Sequence, residues 1–325
     1  FKELSVSDPS AQQYRSGLAF GLVAYLFWGL VPLYFAALGA FHVPAWEILA
    51  HRIAWSLPIL LGLTLVVGGR ADLGRVLASR KLVLVLLASA SLLAVNWLIY
   101  IYASVTKRVT DASLGYYMLP LVNTAFATLV LKEKLRPAHY PALALIVIGV
   151  AIPCVAVGYL PWIAVALPVT FGLYGLVRKK VPVESLTGLT VEAILMLPPS
   201  LGFLVYLSVN DQNHLTPDNW SLNALIAFSG LVTVVPLLTY TLSLRRLPLL
   251  AISFIQFLSP TVQMLIAVFY LGEKERVTPE NVAAFACVWA AVALFIFDAA
   301  YLARKRRVML KPAPIGIPVR AALRG

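Results

Sequence analysis

Apolar runs of about 20 residues follow one another from residue 16 to residue 303, separated by short polar segments. A helix rising 1.5 Å per residue crosses a hydrocarbon core of about 30 Å in that length. Main-chain N–H and C=O groups in lipid find no water, so a spanning segment must satisfy them itself or in a closed barrel. The period-two alternation of barrel strands is absent, which leaves helices. Ten runs qualify, at 16–39, 44–67, 82–103, 112–131, 137–157, 159–177, 186–208, 222–243, 249–271 and 279–303. The expected fold is an all-α polytopic membrane protein with ten transmembrane helices.

The composition agrees: 61% of the 325 residues are hydrophobic and 12% charged, against about 25% charged in soluble domains. Such a chain lacks the polar residues to cover itself in water, so lipid must solvate much of its outside. Cys154 and Cys287 each sit inside an apolar run and read as packing residues, not a disulfide. The first fifteen residues are polar and no small-residue cleavage site follows the first run, so that run reads as a retained helix.

The basic residues orient the chain. With the N-terminus inside, 21 of the 26 Lys and Arg fall in cytoplasmic segments and 4 outside (Lys107, Arg108, Lys274 and Arg276), while Arg52 lies within a span. Cytoplasmic loops collect Lys and Arg, so both termini are expected in the cytoplasm. The net charge of +12 follows from this bias and calls for no nucleic-acid partner. The run "RKRR" at 304–307 reads as a stop anchor, and the Pro-containing tail beyond it as disordered. The loop 210–219 holds no Lys or Arg, as an outer loop should. Its sequon, Asn219-Trp220-Ser221, reads as a chance occurrence.

The chain also repeats itself. "LKEKLR" at 131–136 and "LGEKER" at 271–276 share Leu, Glu, Lys and Arg at four of six positions. At an offset of 140 residues, Tyr100 meets Tyr240, Ser113 meets Ser253, Pro120 meets Pro260, Asn123 meets Gln263 and Glu133 meets Glu273. "FWGLV" at 27–31 and "LYGLV" at 173–177 match more loosely, and Glu47 and Glu192 each lie early in the second span of their half. Five spans per half is an odd number, so the second copy enters the membrane from the opposite side. Two inverted five-helix repeats, at 16–157 and 158–303, are therefore expected between an arm (1–15) and a basic tail (304–325). Inverted repeats are a transporter signature.

Five-plus-five spans, with Glu closing spans four and nine, resemble the EamA-type drug/metabolite transporter superfamily. Within it, "EILAHRIAWS" (47–56), "ASLGYYMLPLVN" (112–123), "YGLVRKKVPVE" (174–184) and "FLSPTVQMLIAVFYLGEK" (257–274) resemble the RarD-like permeases, often labelled chloramphenicol-sensitive proteins. The resemblance covers about residues 17–303. It implies an inner-membrane permease for a small solute, with a central cavity between the repeats.

Several residues are candidates for that chemistry. Pro120 and Pro260 fall inside spans four and nine, where proline frees a carbonyl. Matched interruptions in two halves point to a transporter site, although a passive kink explains them as well. Asn123 and Gln263 lie three residues further on and either bind solute or join helices; Gln256 is a further candidate. Asn96, Trp97, Tyr100, Tyr116 and Tyr117 place polar-tipped rings on spans three and four, as Tyr25 and Trp28 do on span one. Such rings suit an amphipathic ligand or fill a bundle.

Ionisable groups in a span are expensive and tend to face a cavity or a counter-charge. Glu47 and His51 share a helix face, and Arg52 points about 140° away from Glu47, toward another partner. With Glu192 they are the gating or proton-coupling candidates, which adds protons to the expected partners. Asp298 reads as interfacial. Glu133 and Glu273 oppose a helix dipole; they read as structural closures of the repeat, offset by Lys134 and Lys274. Neither H-E-x-x-H nor G-x-S-x-G occurs, and the four histidines are scattered. An intramembrane enzyme, a metal centre and a cofactor are not expected. A channel is the other alternative, though its rings of pore-lining charge are not evident.

Overall fold

A computed structural model describes residues 11–105, 109–137, 139–158, 162–270 and 279–309. Among these residues the chain is helical throughout its regular structure and contains no strand. The helices are α1 (Ala11–Gly39), α2 (Ala45–Val66), α3 (Arg70–Ala78), α4 (Arg80–Val105), α5 (Val109–Leu129) and α6 (His139–Val157). They continue with α7 (Trp162–Lys180), α8 (Ser185–Val209), α9 (Trp220–Arg246), α10 (Leu249–Ile255), α11 (Leu258–Phe269) and α12 (Pro279–Met309). Helices α1, α2, α4, α6, α8 and α9 are long and apolar enough to cross a membrane. Shorter apolar stretches occupy Met118–Leu129, Leu249–Gln263 and Val282–Leu294.

The outside of the bundle is apolar. Leu129, Val155 and Phe297 each expose more than two thirds of their surface, with Trp46, Leu98 and Val147 exposed on other helices. Water would not tolerate so many large apolar side chains together; lipid does. The protein is a multi-pass membrane protein.

Packing follows a regular scheme. Helix α1 lies against α9 and α11, α7 against α4 and α5, α2 against α8 and α9, and α4 against α8, while α6 pairs with α12. Small residues allow the closest crossings, as is usual where lipid supplies no hydrophobic drive between helices. A Cβ built on Gly230 of α9 would lie 2.5 Å from the Trp55 carbonyl oxygen of α2, so the two backbones meet there as only glycine permits.

Four boundaries differ from the pattern-based expectation. Helix α1 begins at Ala11, inside the segment read as an arm, and α12 continues through "RKRR" to Met309. The segment between α2 and α4, expected as a loop, holds α3, whose Arg75 side chain reaches back one turn to Asp72. The ninth apolar run is not one helix but two. Pro260 has no N–H to give the Gln256 carbonyl, and its ring crowds that carbonyl. Helix α10 stops at Ile255, and Ser259 N bonds the Gln256 carbonyl instead, at 3.3 Å. Its repeat mate Pro120 lies inside the unbroken α5, as Pro58 does in α2 and Pro236 in α9. Proline by itself therefore does not break these helices. At Pro260 a buried carboxamide occupies the gap: Gln256 Nε2 donates to the Ser253 carbonyl at 3.1 Å.

Candidate functional site

Helices α2, α4, α8 and α9 enclose a cavity of about 30 Å³, room for roughly two water molecules. Its walls are mostly aliphatic, with Ser56, Trp97, Glu192 and Thr233 as the polar groups. Drug-sized ligands need roughly 300–1,000 Å³, so this space as it stands is too small for one.

Arg52 stands at its edge. The Nε–H donates to Thr233 Oγ1 at 2.9 Å, and the guanidinium lies 4.7 Å from the centre of the Trp97 ring and 5.8 Å from that of Phe35. Tyr34, Tyr100 and Tyr116 stand within electrostatic reach. Arg52 is thus held by α1, α4 and α9, and no carboxylate pairs with it among the described residues.

Glu192 enters the cavity from α8 and is 2% exposed. Arg178 Nε lies 3.8 Å from its Oε1, and Arg178 Nη2 donates to the Ser185 carbonyl at 2.9 Å. The guanidinium passes through the space a Cβ on Gly188 would fill, so a side chain at 188 would push Arg178 out of this position. Hydroxyls of Ser89 and Tyr174 neighbour the Glu192 carboxylate. Neither carboxylate oxygen makes a hydrogen bond of good geometry among the described residues. The sequence flagged Glu192 and missed Arg178, which looked like one more basic loop residue at a helix end.

Glu47 and His51 do share a face, but the hydrogen bonds of Glu47 come from elsewhere. Its Oε1 accepts the main-chain N–H of His214 at 2.7 Å, and its Oε2 lies 2.7 Å from His214 Nδ1. His51 Nε2 is 3.8 Å away, outside hydrogen-bond range. A fully buried carboxylate in the first turn of α2 therefore holds the α8–α9 loop against the bundle. Only the absence of Lys and Arg had distinguished that loop, and no local signal marks His214. Asn219 accepts from Leu222 N at 3.1 Å and caps α9, a role that accounts for the residue without glycosylation.

The carboxamide candidates separate. Asn96 Nδ2 donates to the Leu167 carbonyl and Thr170 Oγ1, both at 2.9 Å, joining α4 to α7. Asn123 Nδ2 donates to Gln256 Oε1 at 3.1 Å, joining α5 to the gap between α10 and α11. Gln263 Nε2 donates to the Trp28 carbonyl at 3.1 Å, joining α11 to α1. Asn123 and Gln263, equivalent in the repeat, thus have unrelated partners, and neither borders the cavity. Tyr25 and Trp28 pack edge to face with Phe171 and Tyr240 in the bundle core. Tyr100 and Tyr116 contact each other with centroids 6.0 Å apart. The side chain of Tyr117 lies outside the described residues, as do Glu273 and Lys274.

Glu133 meets a helix terminus rather than Lys134. Its two oxygens accept the first N–H groups of α10, from Leu249 at 2.9 Å and Leu250 at 3.2 Å. Lys179 Nζ caps the opposite side of the same corner, donating to the Leu244 and Leu247 carbonyls at the end of α9. Anion on N-terminus and cation on C-terminus is the favourable arrangement for both dipoles. Asp298 lies 3.4 Å from Arg136 and 3.8 Å from His139, tying α12 to the start of α6.

A bundle of apolar helices with a small, largely aliphatic cavity among α2, α4, α8 and α9 defines a multi-pass membrane protein. The chain belongs to the EamA-like transporter family, whose model matches it twice, at residues 15–153 and 160–297. It is 40% identical over 304 residues to a protein of Vibrio cholerae named as an uncharacterized transporter, covering 92% of this chain and 99% of that one. It is 38% identical to Protein RarD of Salmonella typhi, over 91% of this chain and 99% of the relative. Protein RarD of Escherichia coli K12 is 36% identical over 91% and 98% of the two chains. A crystal structure with 19% sequence identity has the same fold at a TM-score of 0.65, covering 89% of this chain and 99% of the other.

Proposed function

We infer that the protein is a secondary-active permease of the inner membrane that moves a small solute by alternating access. Its ten spans form two inverted five-helix repeats with both termini in the cytoplasm. The single observation that carries this reading is the symmetry of the helix contacts. Exchange the halves, so that α1, α2, α4, α5 and α6 map onto α7, α8, α9, α10–α11 and α12. The α1–α9 contact becomes α7–α4, α5–α7 becomes α11–α1, and α2–α9 becomes α8–α4, and every one of these occurs. The pairs α2–α8 and α6–α12 map onto themselves, as contacts across a twofold axis must. Two family-model matches in one chain support the same division.

A cavity bounded by α2 and α8, the self-paired helices, lies where exchange of the two halves would switch its access. Its present volume leaves no room for a solute, so transport requires the halves to move apart around it. The hold of Glu47 on the outer α8–α9 loop is the natural outer gate, because release of His214 frees that loop without disturbing a span. Arg52 and Glu192 are the charged groups positioned to sense solute. Counterflow in proteoliposomes tests the proposal. A carrier exchanges labelled for unlabelled solute with saturation, whereas passage that rises linearly with concentration overturns it. Accessibility tags in the 210–219 loop and after residue 309 test the topology, and labelling of both from the same side overturns the inverted repeat.

A further inference from the structure

We propose that Arg52 is an anion-binding subsite, and that the solute carries a carboxylate, sulfonate or phosphate on a planar apolar body. The inference rests on the permease reading above. A guanidinium has five N–H donors and no acceptor. Arg52 uses one, on Thr233, and no other hydrogen bond of its guanidinium is found among the described residues. A cation within a membrane bundle tends to be paired, yet the carboxylates of this site are engaged elsewhere. Glu47 is held by His214, and Glu192 faces Arg178. Because Glu192 and Arg178 neutralise each other, the negative charge lining the cavity does not cancel Arg52. The site therefore keeps one uncompensated positive charge, which an anionic solute would balance.

The surroundings fit such a guest. The guanidinium lies over the Trp97 ring, and a guanidinium stacked on a ring face keeps its edge for a two-point contact with an oxyanion. Trp97 and Thr233 also line the cavity, so once the cavity widens, a group bound to that edge has the aliphatic wall beside it for its apolar part. The rings of Tyr100 and Tyr116 add hydroxyl-bearing neighbours. Glu47, His51 and Arg52 follow one another on α2 in the order gate to site, so filling the subsite and moving the outer loop involve the same helix.

The test uses purified full-length protein in a neutral, lipid-free detergent, with benzoate, benzamide and benzylammonium as probes of equal size and different charge. Benzoate should raise the melting temperature with saturation, and benzamide and benzylammonium should not. Arg52→Gln should weaken the benzoate midpoint at least about tenfold, the loss of one charge-assisted contact. Arg52→Lys, which keeps the charge without the fork, should fall between. Equal stabilisation by benzamide and benzoate overturns the subsite, as does no stabilisation by benzoate at all. An unchanged benzoate midpoint in Arg52→Gln overturns it too. If Arg52→Gln does not fold, the charge preference of the parent protein and the midpoint of Arg52→Lys decide. Counterflow separates the two proposals. Arg52-dependent binding without exchange of benzoate overturns the carrier and leaves the subsite, whereas saturable exchange of benzamide and benzoate alike overturns the subsite and leaves the carrier.

Discussion

The carboxylate of Glu47, in the first turn of α2, holds the main-chain N–H and the ring of His214, which lies 167 positions further along the chain, at 2.7 Å each. Removing Glu47 strands both His214 donors, whereas His214→Ala takes away only the ring contact and leaves the main-chain N–H on Oε1. His214→Ala should lower stability by about 1.5–3 kcal/mol, the range for hydrogen bonds to charged groups. Glu47→Gln keeps one acceptor for the main-chain N–H and should lose less than Glu47→Ala. A double-mutant cycle on thermal melts in detergent measures the pair, and additive losses would show that it does not couple. If the hold is a gate, proteolysis of the 210–219 loop should also accelerate in both alanine variants.

The Arg178–Glu192 pair is almost fully buried. Breaking such a pair leaves an unbalanced charge and costs about 3–5 kcal/mol, while replacing both members with apolar residues of similar size is often neutral. Glu192→Leu and Arg178→Met should each reduce the folded yield sharply, and the double variant should recover most of it. Gly188→Ala should resemble Arg178→Met, because the added methyl occupies the guanidinium's place. Size-exclusion profiles after solubilisation check all four proteins.

Glu133 satisfies two of the N–H groups that open α10. Glu133→Ala should cost about 0.5–2 kcal/mol, as loss of a helix N-cap does. Glu133→Gln keeps an acceptor but not the charge that favours a helix N-terminus, so its loss should be smaller. The melting temperatures of the two variants should rank in that order.

Pro260→Ala restores the N–H that the Gln256 carbonyl lacks. Amide exchange at residues 256–261 should slow as α10 and α11 join, and exchange by the carrier should fall if the gap is a hinge. Pro120→Ala, in a helix that is already continuous, should leave exchange at its own position nearly unchanged. Mass-spectrometric hydrogen exchange compares the two, and equal effects would show that the matched prolines do not differ.

How much was legible in the chain depends on the range of the interaction. Helical segments were readable because transfer of a peptide segment into hydrocarbon depends on the apolar content of that segment alone. The 140-residue repeat was readable because it is a property of the letters. A repeat in letters still does not make a repeat in contacts. Asn123 meets Gln256 while Gln263 meets the Trp28 carbonyl, and Pro260 sits beside a helix gap while Pro120 does not.

By itself, then, the sequence determined a membrane-embedded helical chain, its orienting charge bias, its internal repeat and the few costly polar residues inside its apolar runs. Only the tertiary structure decided what those residues touch. Spacing along one helix suggested His51 for Glu47, yet the partner came from a loop 167 positions away. Lys134, beside Glu133 in the chain, suggested itself, yet the partner was the start of α10. Spacing showed only that Arg52 turns away from Glu47, and the described bundle gives it a hydroxyl and aromatic rings. The physical reason is that hydrophobicity acts through each segment's own composition, whereas a buried charge is stabilised by whichever groups packing brings within about 4 Å, and helix packing is a property of the whole bundle.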